Sequence, residues 1–436
     1  MDVRPVDVRP VDVRDVARRA VRELAGDAIL GRDDCTWIGL IADSIRAESL
    51  DYRALPARLY DGLSGMALMF GYAAKVFRDE SYLDLARRSI RPVLAELTGN
   101  AKSGVPQRAG AYAGVAGALY VLDHLAAITG DDAYLDAIDR YAPHFTESLA
   151  AWQTPDLVAG YAGAAVVAGD LYARHGLTPL RESTAICAER LTLTSVRAGD
   201  TVTWTHRGGP PLAGFAHGSA GIGWALVKTG AALNDSGTTE LGLSALRRHP
   251  PEGDGSARWC HGSAGIALAR LLAHGLHPDP ALTEAAQSAL TDVAEGSLTD
   301  VAEGSLTALT EGASNANANA NAVADPGAGL AGRSLCHGGF GLLEVLGLAA
   351  TTLPGDKRWT ERHARLAQDL IRRTGAATSR SPGESIPGLF PGRAGVCLSL
   401  LRLAAPAEVP SVLWLQPPAV EPVPVHHPRP RRPARN

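Results

Sequence analysis

The chain has 436 residues, of which 46% are hydrophobic and 20% charged, and its formal net charge is −4 at pH 7. This balance predicts a soluble globular protein with a large core, and it excludes the strongly basic surface of a nucleic-acid-binding protein. We also expect no membrane span and a cytoplasmic location, because the sequence lacks both an apolar run of about 18 residues and the apolar core of a signal peptide.

Three segments differ in composition from the rest. Residues 1–13 contain a five-residue repeat with proline, and residues 417–436 are rich in proline and arginine. Residues 289–329 hold near-copies of an eight-residue unit followed by alternating Asn and Ala. These compositions predict a disordered arm, a disordered tail and a tolerated low-complexity insertion. The remaining residues 14–416 are expected to form one domain.

Seven times in this domain, two glycines three residues apart precede an apolar run. The pairs are Gly62/Gly65, Gly114/Gly117, Gly160/Gly163, Gly218/Gly221, Gly262/Gly265, Gly338/Gly341 and Gly392/Gly395. Their first glycines are separated by 52, 46, 58, 44, 76 and 54 residues, and the longest interval contains the low-complexity insertion. A period of about 50 residues predicts one repeated supersecondary unit that buries its apolar surface against its neighbours.

Each repeat combines two kinds of helix. The runs after the glycines are apolar nearly all round, which predicts inner helices, and the stretches between them are amphipathic, which predicts outer helices. About seven outer/inner pairs predict an all-α protein, an α/α toroid with the glycine loops at one mouth. An open helical solenoid is the alternative. In the loops, glycines permit positive φ and close backbone approach.

Two of these loops, "RWCHGSAG" and "SLCHGGFG", contain a Cys-His-Gly sequence. Cys260, Cys336 and His337 offer two thiolates and an imidazole, the set that holds zinc with a fourth position open for substrate. Taken singly, each cysteine would be a small buried apolar residue, but the paired loops favour a metal site. His261 could replace His337, support the site from outside the ligand set, or line the cavity, and we favour a non-ligand role.

Other polar residues of the loops have more than one interpretation. The position of His217 in its glycine loop is nearly the position that Cys260 has in the next loop, so His217 should point into the same mouth. It is a candidate for proton transfer, and the alternative is a capping or hydrogen-bonding histidine. Asp156 could orient a histidine, act as a base or cap a helix. Asp61 is interpreted as a turn or cap residue. Three cysteines lie outside such loops and are expected to be structural thiols: Cys35, Cys187 and Cys397.

The motifs "LYDGLSG", "PDLVAGYAG", "GFAHGSAGIG", "RWCHGSAGI", "SLCHGGFG" and the ending "LLRLAAPAEVPSVL" resemble the lanthionine synthetase cyclase family. With "CTWIGL" before the first repeat, the ending is most similar to the C-terminal cyclase region of bifunctional class II enzymes. The resemblance extends from about Asp27 to Pro418, apart from the insertion. It implies an α/α toroid with one catalytic zinc.

Carried over to this sequence, the resemblance implies that Cys260, Cys336 and His337 bind Zn²⁺ and that His217 and Asp156 lie in the active site. The implied substrate is a dehydrated precursor peptide with cysteines. Its zinc-bound thiolate adds to a dehydroalanine or dehydrobutyrine and forms a thioether ring. His217 would protonate the α-carbon, with Asp156 as base or orienting partner.

The chain departs from the family pattern in two respects. It has no segment long enough for the N-terminal dehydratase of the bifunctional enzymes, which implies a fragment, a remnant, or a separate dehydratase as partner. In addition, Ser256 stands four residues before the first ligand cysteine, where a stand-alone cyclase has arginine. Arg258 is two before that cysteine and is a candidate for supporting the site from outside the ligand set.

Two other functions fit a helical toroid with thiol ligands. A zinc-dependent prenyltransferase subunit also presents a peptide thiolate to zinc, but its ligand set includes an aspartate with one cysteine and one histidine. A non-enzymatic scaffold that keeps zinc and binds thiols such as glutathione is the second alternative.

Overall fold

The computed structural model describes residues 12–42, 50–104, 107–152, 154–205, 209–247, 256–296, 332–376 and 386–419. Most of the predicted arm, insertion and tail, namely residues 1–11, 297–331 and 420–436, lies outside the described residues. Residues 289–296 of the predicted insertion continue a helix that ends at Gly296. No helix in the described part of the chain is long and apolar enough to cross a membrane.

The described residues form fourteen α-helices and three short two-stranded antiparallel sheets. The helices are α1 (Val13–Gly26), α2 (Leu63–Phe77), α3 (Glu80–Ser103), α4 (Val115–Thr129), α5 (Ala133–Ser148), α6 (Tyr161–His175), α7 (Thr178–Leu193), α8 (Ser219–Leu233), α9 (Ser236–Arg247), α10 (Ser263–Leu276), α11 (Pro280–Gly296), α12 (Gly339–Thr352), α13 (Lys357–Ala376) and α14 (Arg393–Ala404). The strands pair as β1 (Ile29–Leu30) with β2 (Cys35–Thr36), β3 (Ile38–Ala42) with β4 (Leu50–Ala54), and β5 (Val196–Ala198) with β6 (Thr201–Thr203). These strands were not expected from the helical periodicity.

Even-numbered helices form an inner ring and odd-numbered helices an outer ring. Helices α2, α4, α6, α8, α10 and α12 contact one another in that order, and α14 returns to α2. Each inner helix is covered by the outer helix that follows it, except α14, which is covered by α1. The chain thus completes its seventh pair from its two ends. The prediction of a closed α/α toroid with seven pairs is confirmed.

The seven glycine loops, here called the mouth loops, form a closed ring of backbone hydrogen bonds. Each loop donates to the next loop along the chain, and the seventh donates to the first. The bonds are Tyr60 N to Tyr112 O (2.9 Å), Ala111 N to Leu157 O (3.1 Å), Leu157 N to Ala216 O (3.1 Å), Ala216 N to Cys260 O (3.0 Å), Trp259 N to Cys336 O (3.0 Å), Cys336 N to Phe390 O (3.2 Å) and Phe390 N to Tyr60 O (2.8 Å). This ring satisfies buried backbone groups and fixes the loops relative to one another.

The motif glycines are required by close backbone approach. A Cβ atom on Gly265 would lie 2.0 Å from Trp259 O, and one on Gly221 would lie 1.8 Å from Phe215 O. Neither glycine has a positive φ, and Gly218, the first glycine of its pair, has φ −119°. Of the two properties that glycine permits, these loops therefore use close backbone approach and not positive φ. In the described residues, positive φ falls on other glycines, such as Gly130 at the end of α4.

After α14 the chain turns back into the ring, where residues 409–418, here called the C-terminal segment, are largely buried. The segment contacts mouth loops and helices from different sides of the ring. Tyr112 before α4 and Trp259 before α10 both donate to Leu413 O, while Glu344 of α12 bonds to Ser411. Only a position inside the inner ring allows these contacts at once, so the C-terminal segment fills the interior beneath the mouth loops.

Candidate metal centre

Cys260, Cys336 and His337 lie together at the mouth of the toroid. Their ligand atoms, one from each side chain, are all within 4.8 Å of one another. Both cysteines are buried, at 3% and 2% exposure, whereas His337 is partly exposed. The two loops meet because Trp259 donates its backbone N–H to Cys336 O. The group contains no carboxylate, unlike the ligand set expected for a prenyltransferase subunit.

The sulfur atoms of this group are surrounded by hydrogen-bond donors. The pKa of the Cys260 thiol is well below its usual value because of a hydrogen bond from Cys336; burial opposes this shift, and His261 and His337 add to it. His261 Nδ1 lies 3.1 Å from Cys260 Sγ, and His337 Nε2 lies 3.4 Å from Cys336 Sγ. A lowered thiol pKa favours the thiolate, which is the metal-binding form.

His217 and Asp156 form a pair beside the cysteines. Asp156 is fully buried, and its Oδ2 lies 2.8 Å from His217 Nδ1, while its Oδ1 accepts the N–H of Ala159 at 2.8 Å. Asp156 therefore both shapes its own loop and orients the histidine. It does not cap α6, whose N-cap is Gly160 with no side-chain hydrogen bond.

This pair changes the protonation of the histidine. Burial alone would lower the pKa of His217, but the hydrogen bond and negative charge of Asp156, with the charge of Cys260, outweigh it and raise the pKa. Because Nδ1 faces the carboxylate, any proton transfer by this ring would use Nε2. A histidine in this environment remains protonated to higher pH and suits the role of an acid.

His261 and Arg258 occupy the same mouth loop as Cys260. The His261 side chain is exposed; its ring lies 5.3 Å from the ring of His217, and its Nδ1 lies 3.1 Å from Cys260 Sγ. Arg258 is exposed, and among the described residues no side-chain hydrogen bond or ion pair joins it to the cysteines. His261 is thus adjacent to the group that could hold a metal, whereas Arg258 is not brought into it.

The backbone ring gives the register of the loops. Ala216 lies two residues before its first glycine and bonds to Cys260 O, so Ala216 corresponds to Cys260 and Cys336. His217 stands directly before its glycine and corresponds to His261 and His337. The sequence comparison of His217 with Cys260 was therefore displaced by one residue.

Sequence reasoning did not single out Tyr60. Burial, the charges of Cys336 and Cys260 and a hydrogen bond to Cys336 raise the pKa of the Tyr60 phenol well above its usual value. The protonated phenol donates to the Cys336 sulfur, and its ring stacks on Phe390 at 5.1 Å. One sequence signal was available, because Tyr60 stands two residues before Gly62, as Cys260 and Cys336 stand before their glycines.

Asp61 lies in the turn before α2, which confirms one of its two interpretations. It is buried and forms an ion pair with Arg58 at 2.8 Å. Burial raises the pKa of Asp61, and Arg58 opposes this shift. The N-cap of α2 is Gly62, without a side-chain hydrogen bond, so Asp61 is not a cap.

The three cysteines expected to be structural are buried away from the mouth. Cys35 is 3%, Cys187 0% and Cys397 1% exposed, and all three are free thiols. Burial raises the pKa of Cys397 to about 12. These thiols are therefore protonated and unsuited to metal binding near pH 7.

A family model described as lanthionine synthetase C-like protein matches residues 53–304 and 310–414. Among solved structures, a nisin cyclase is 14% identical, with a TM-score of 0.53 over 92% of this chain and 96% of that chain. A sugar epimerase from a ruminal bacterium is 12% identical, with a TM-score of 0.38 over 65% and 86% of the two chains. No curated protein sequence gives a significant match. The fold of this chain is therefore similar to that of the nisin cyclase.

Proposed function

Because the family model covers most of its length, the chain belongs to the lanthionine synthetase C-like family, and we propose that it is a zinc-dependent lanthipeptide cyclase. The reaction is the addition of a cysteine thiolate of a substrate peptide to a dehydroalanine or dehydrobutyrine of the same peptide. The product is a lanthionine or methyllanthionine ring.

The observation that carries this proposal is the convergence of Cys260, Cys336 and His337 at a partly exposed mouth. Zinc binds thiolate sulfur at about 2.3 Å and imidazole nitrogen at about 2.0 Å, so two ligands of a tetrahedral ion lie about 3.5 to 3.8 Å apart. The three ligand atoms, within 4.8 Å of one another, fit that ion after small side-chain adjustments. Three protein ligands leave the fourth position for a substrate thiol.

Bound zinc would supply a Lewis acid that holds the substrate thiol as a thiolate at neutral pH. The protein itself contributes the proton transfer. Addition forms one S–C bond and consumes the C=C double bond, so the α-carbon needs one proton to complete the product. His217 is the group proposed to donate it, since Asp156 keeps this imidazole protonated and directs Nε2 away from the carboxylate.

The proposal includes two partners and a location. The substrate is a precursor peptide with cysteines, and its dehydro residues come from a dehydratase that acts before this protein. Since the end of the chain resembles the cyclase region of bifunctional class II enzymes, the dehydratase is proposed to be a separate protein. A cytoplasmic location fits the five free thiols, because the reducing cytosol keeps cysteines available for metal.

The first experiment measures the zinc content of the purified chain beside Cys260→Ala, Cys336→Ala and the control Cys187→Ala. We expect about one zinc per chain in the wild type and in Cys187→Ala, and none after dialysis of the other two variants. Cys187 is a suitable control because it is equally buried but lies outside the group of ligands.

The second experiment incubates the wild-type chain with a dehydrated peptide that contains cysteine. Ring formation leaves the peptide mass unchanged, so it is followed as the loss of free thiol to an alkylating reagent. If the chain binds zinc but the amount of free thiol in the peptide does not fall, the result would contradict the proposed cyclase activity and favour a thiol-binding scaffold. A folded chain that binds no zinc would contradict both the zinc-dependent cyclase and the zinc-binding scaffold.

A further inference from the structure

One carbonyl of the C-terminal segment, that of Leu413, binds two different mouth loops. Leu413 O accepts hydrogen bonds from Tyr112 Oη at 2.9 Å and from Trp259 Nε1 at 3.2 Å. Tyr112 Oη also lies 3.1 Å from Val412 O. Tyr112 and Leu413 are fully buried, and Trp259 is 1% exposed. These bonds lie in a low-dielectric interior, where an unmade bond is costly.

Tyr112 and Trp259 are also connected to the loops of the two ligand cysteines. Trp259 immediately precedes Cys260, and its backbone N–H donates to Cys336 O at 3.0 Å. The Tyr112 ring packs edge-on against Trp259 at 5.3 Å and against Phe390 at 4.8 Å. Phe390 O in turn accepts the N–H of Cys336 at 3.2 Å. The position of the Leu413 carbonyl therefore affects both cysteines: Trp259 is covalently bonded to Cys260, and its backbone N–H is hydrogen-bonded to Cys336.

The C-terminal segment is held in a defined conformation. Gln416 N donates to Ser411 O at 3.0 Å, and Gln416 Oε1 accepts from Ser411 N at 3.0 Å. Leu415 has φ +52°, a conformation that L-residues seldom adopt. Ser411 Oγ bonds to Glu344 of α12. The surrounding structure thus determines the placement of the Leu413 carbonyl.

We propose that the C-terminal segment is a positioning element of the metal centre, and that the Leu413 carbonyl holds the loops of Cys260 and Cys336 at ligand separation through Tyr112 and Trp259. The inference rests on the proposed metal site and concerns metal binding, not the chemistry of ring formation. Tyr112 and Trp259 are not members of the ligand group; they act through the backbone of the mouth loops.

Two matched variants test this role. Tyr112 lies in a mouth loop, and Tyr112→Phe removes its hydroxyl, which donates to Leu413 O. Tyr120 lies within α4, and Tyr120→Phe removes its hydroxyl, which donates to Gln416 O at 2.9 Å. Both tyrosines are buried, and both variants keep the aromatic ring. Zinc affinity is measured by competition with a chromophoric chelator, and the coordination of Co²⁺ by its absorption spectrum. Thermal unfolding verifies that both variants fold.

Tyr112→Phe is expected to weaken zinc binding about tenfold and to alter the Co²⁺ spectrum, as residues that orient metal ligands do. Tyr120→Phe is expected to keep wild-type affinity and spectrum. Wild-type zinc binding in Tyr112→Phe would overturn the positioning role. An equal loss in both variants would overturn the specific role of the Leu413 carbonyl, because Tyr120 bonds to the same segment at Gln416. Either result leaves the proposed function intact. A wild-type chain that binds no zinc would overturn both the positioning role and the proposed function.

Discussion

The mouth loops before α8, α10 and α12, here called the reactive loops, share their backbone with those before α4, α6 and α14, here called the plain loops. Both sets contain the paired glycines and take part in the same ring of hydrogen bonds. The residues directly before the first glycine are His217, His261 and His337 in the reactive loops and Ala113, Ala159 and Pro391 in the plain loops. The fold therefore depends on the glycines, whereas the proposed chemistry depends on one or two residues beside them in the reactive loops and on Asp156 in one plain loop.

The loop before α2 is intermediate between the two sets. It contains Tyr60 and Asp61 where the reactive loops have ligands and histidines. Tyr60 donates to Cys336, whereas Asp61 pairs with Arg58 within its own loop. This loop thus contributes one polar group to the centre without supplying a ligand.

The largest effect is expected when a glycine is changed in either set. Gly265→Ala in a reactive loop and Gly163→Ala in a plain loop would each place a Cβ atom 2.0 Å from a backbone carbonyl oxygen. We expect each variant to lose about 3 kcal/mol or more of unfolding free energy, measured by chemical denaturation. The control is Gly99→Ala, an exposed position in α3 with no atom within 4 Å, which should be neutral or stabilising. A large loss of unfolding free energy in only one of the two variants would show that the two sets of loops do not contribute equally to stability.

His217→Ala should separate chemistry from metal binding. The variant removes no proposed ligand, so we expect unchanged zinc content, with some loss of stability because the buried Asp156 carboxylate loses the histidine with which it pairs. The rate of ring formation should fall about 10²- to 10⁴-fold, the usual contribution of a general acid. The control His277→Ala removes an exposed histidine at the end of α10 opposite the mouth and should retain full activity. Full activity of His217→Ala would disprove its role as the acid.

Asp156→Asn should shift the pH dependence of the reaction. The carboxylate is what raises the pKa of His217 against the effect of burial, so the pKa should fall in the variant. An acid with a lower pKa is deprotonated at lower pH, and the decline in rate on the alkaline side should begin earlier. The measurement is the rate of ring formation from pH 5 to pH 9, together with an NMR titration of the imidazole. An unchanged profile would mean that His217 protonation does not limit the reaction.

Tyr60→Phe should have the smallest effect. It removes the hydrogen bond to Cys336 but no ligand, so zinc should remain bound with an affinity reduced by about 1 kcal/mol, or about fivefold. The Co²⁺ spectrum should shift, because one sulfur loses its donor. Tyr52→Phe, at a position 66% exposed, is the control and should change neither quantity. Loss of all zinc in Tyr60→Phe would indicate that the phenol is needed to assemble the site.

The sequence alone determined the helical repeat, the seven mouth loops and the convergence of Cys260, Cys336 and His337. These features are local: helical periodicity and glycine spacing are read within one repeat, and equal repeats on a closed ring bring equivalent loops together. Only the tertiary structure decided that α1 covers α14, that Asp156 pairs with His217, and that the C-terminal segment lies beneath the mouth. Each of these contacts joins residues distant in sequence, and its partner depends on the curvature and closure of the ring. The motif glycines show the same division, because their spacing was evident in the sequence but the approach of a carbonyl oxygen, which excludes a Cβ, exists only in the folded chain.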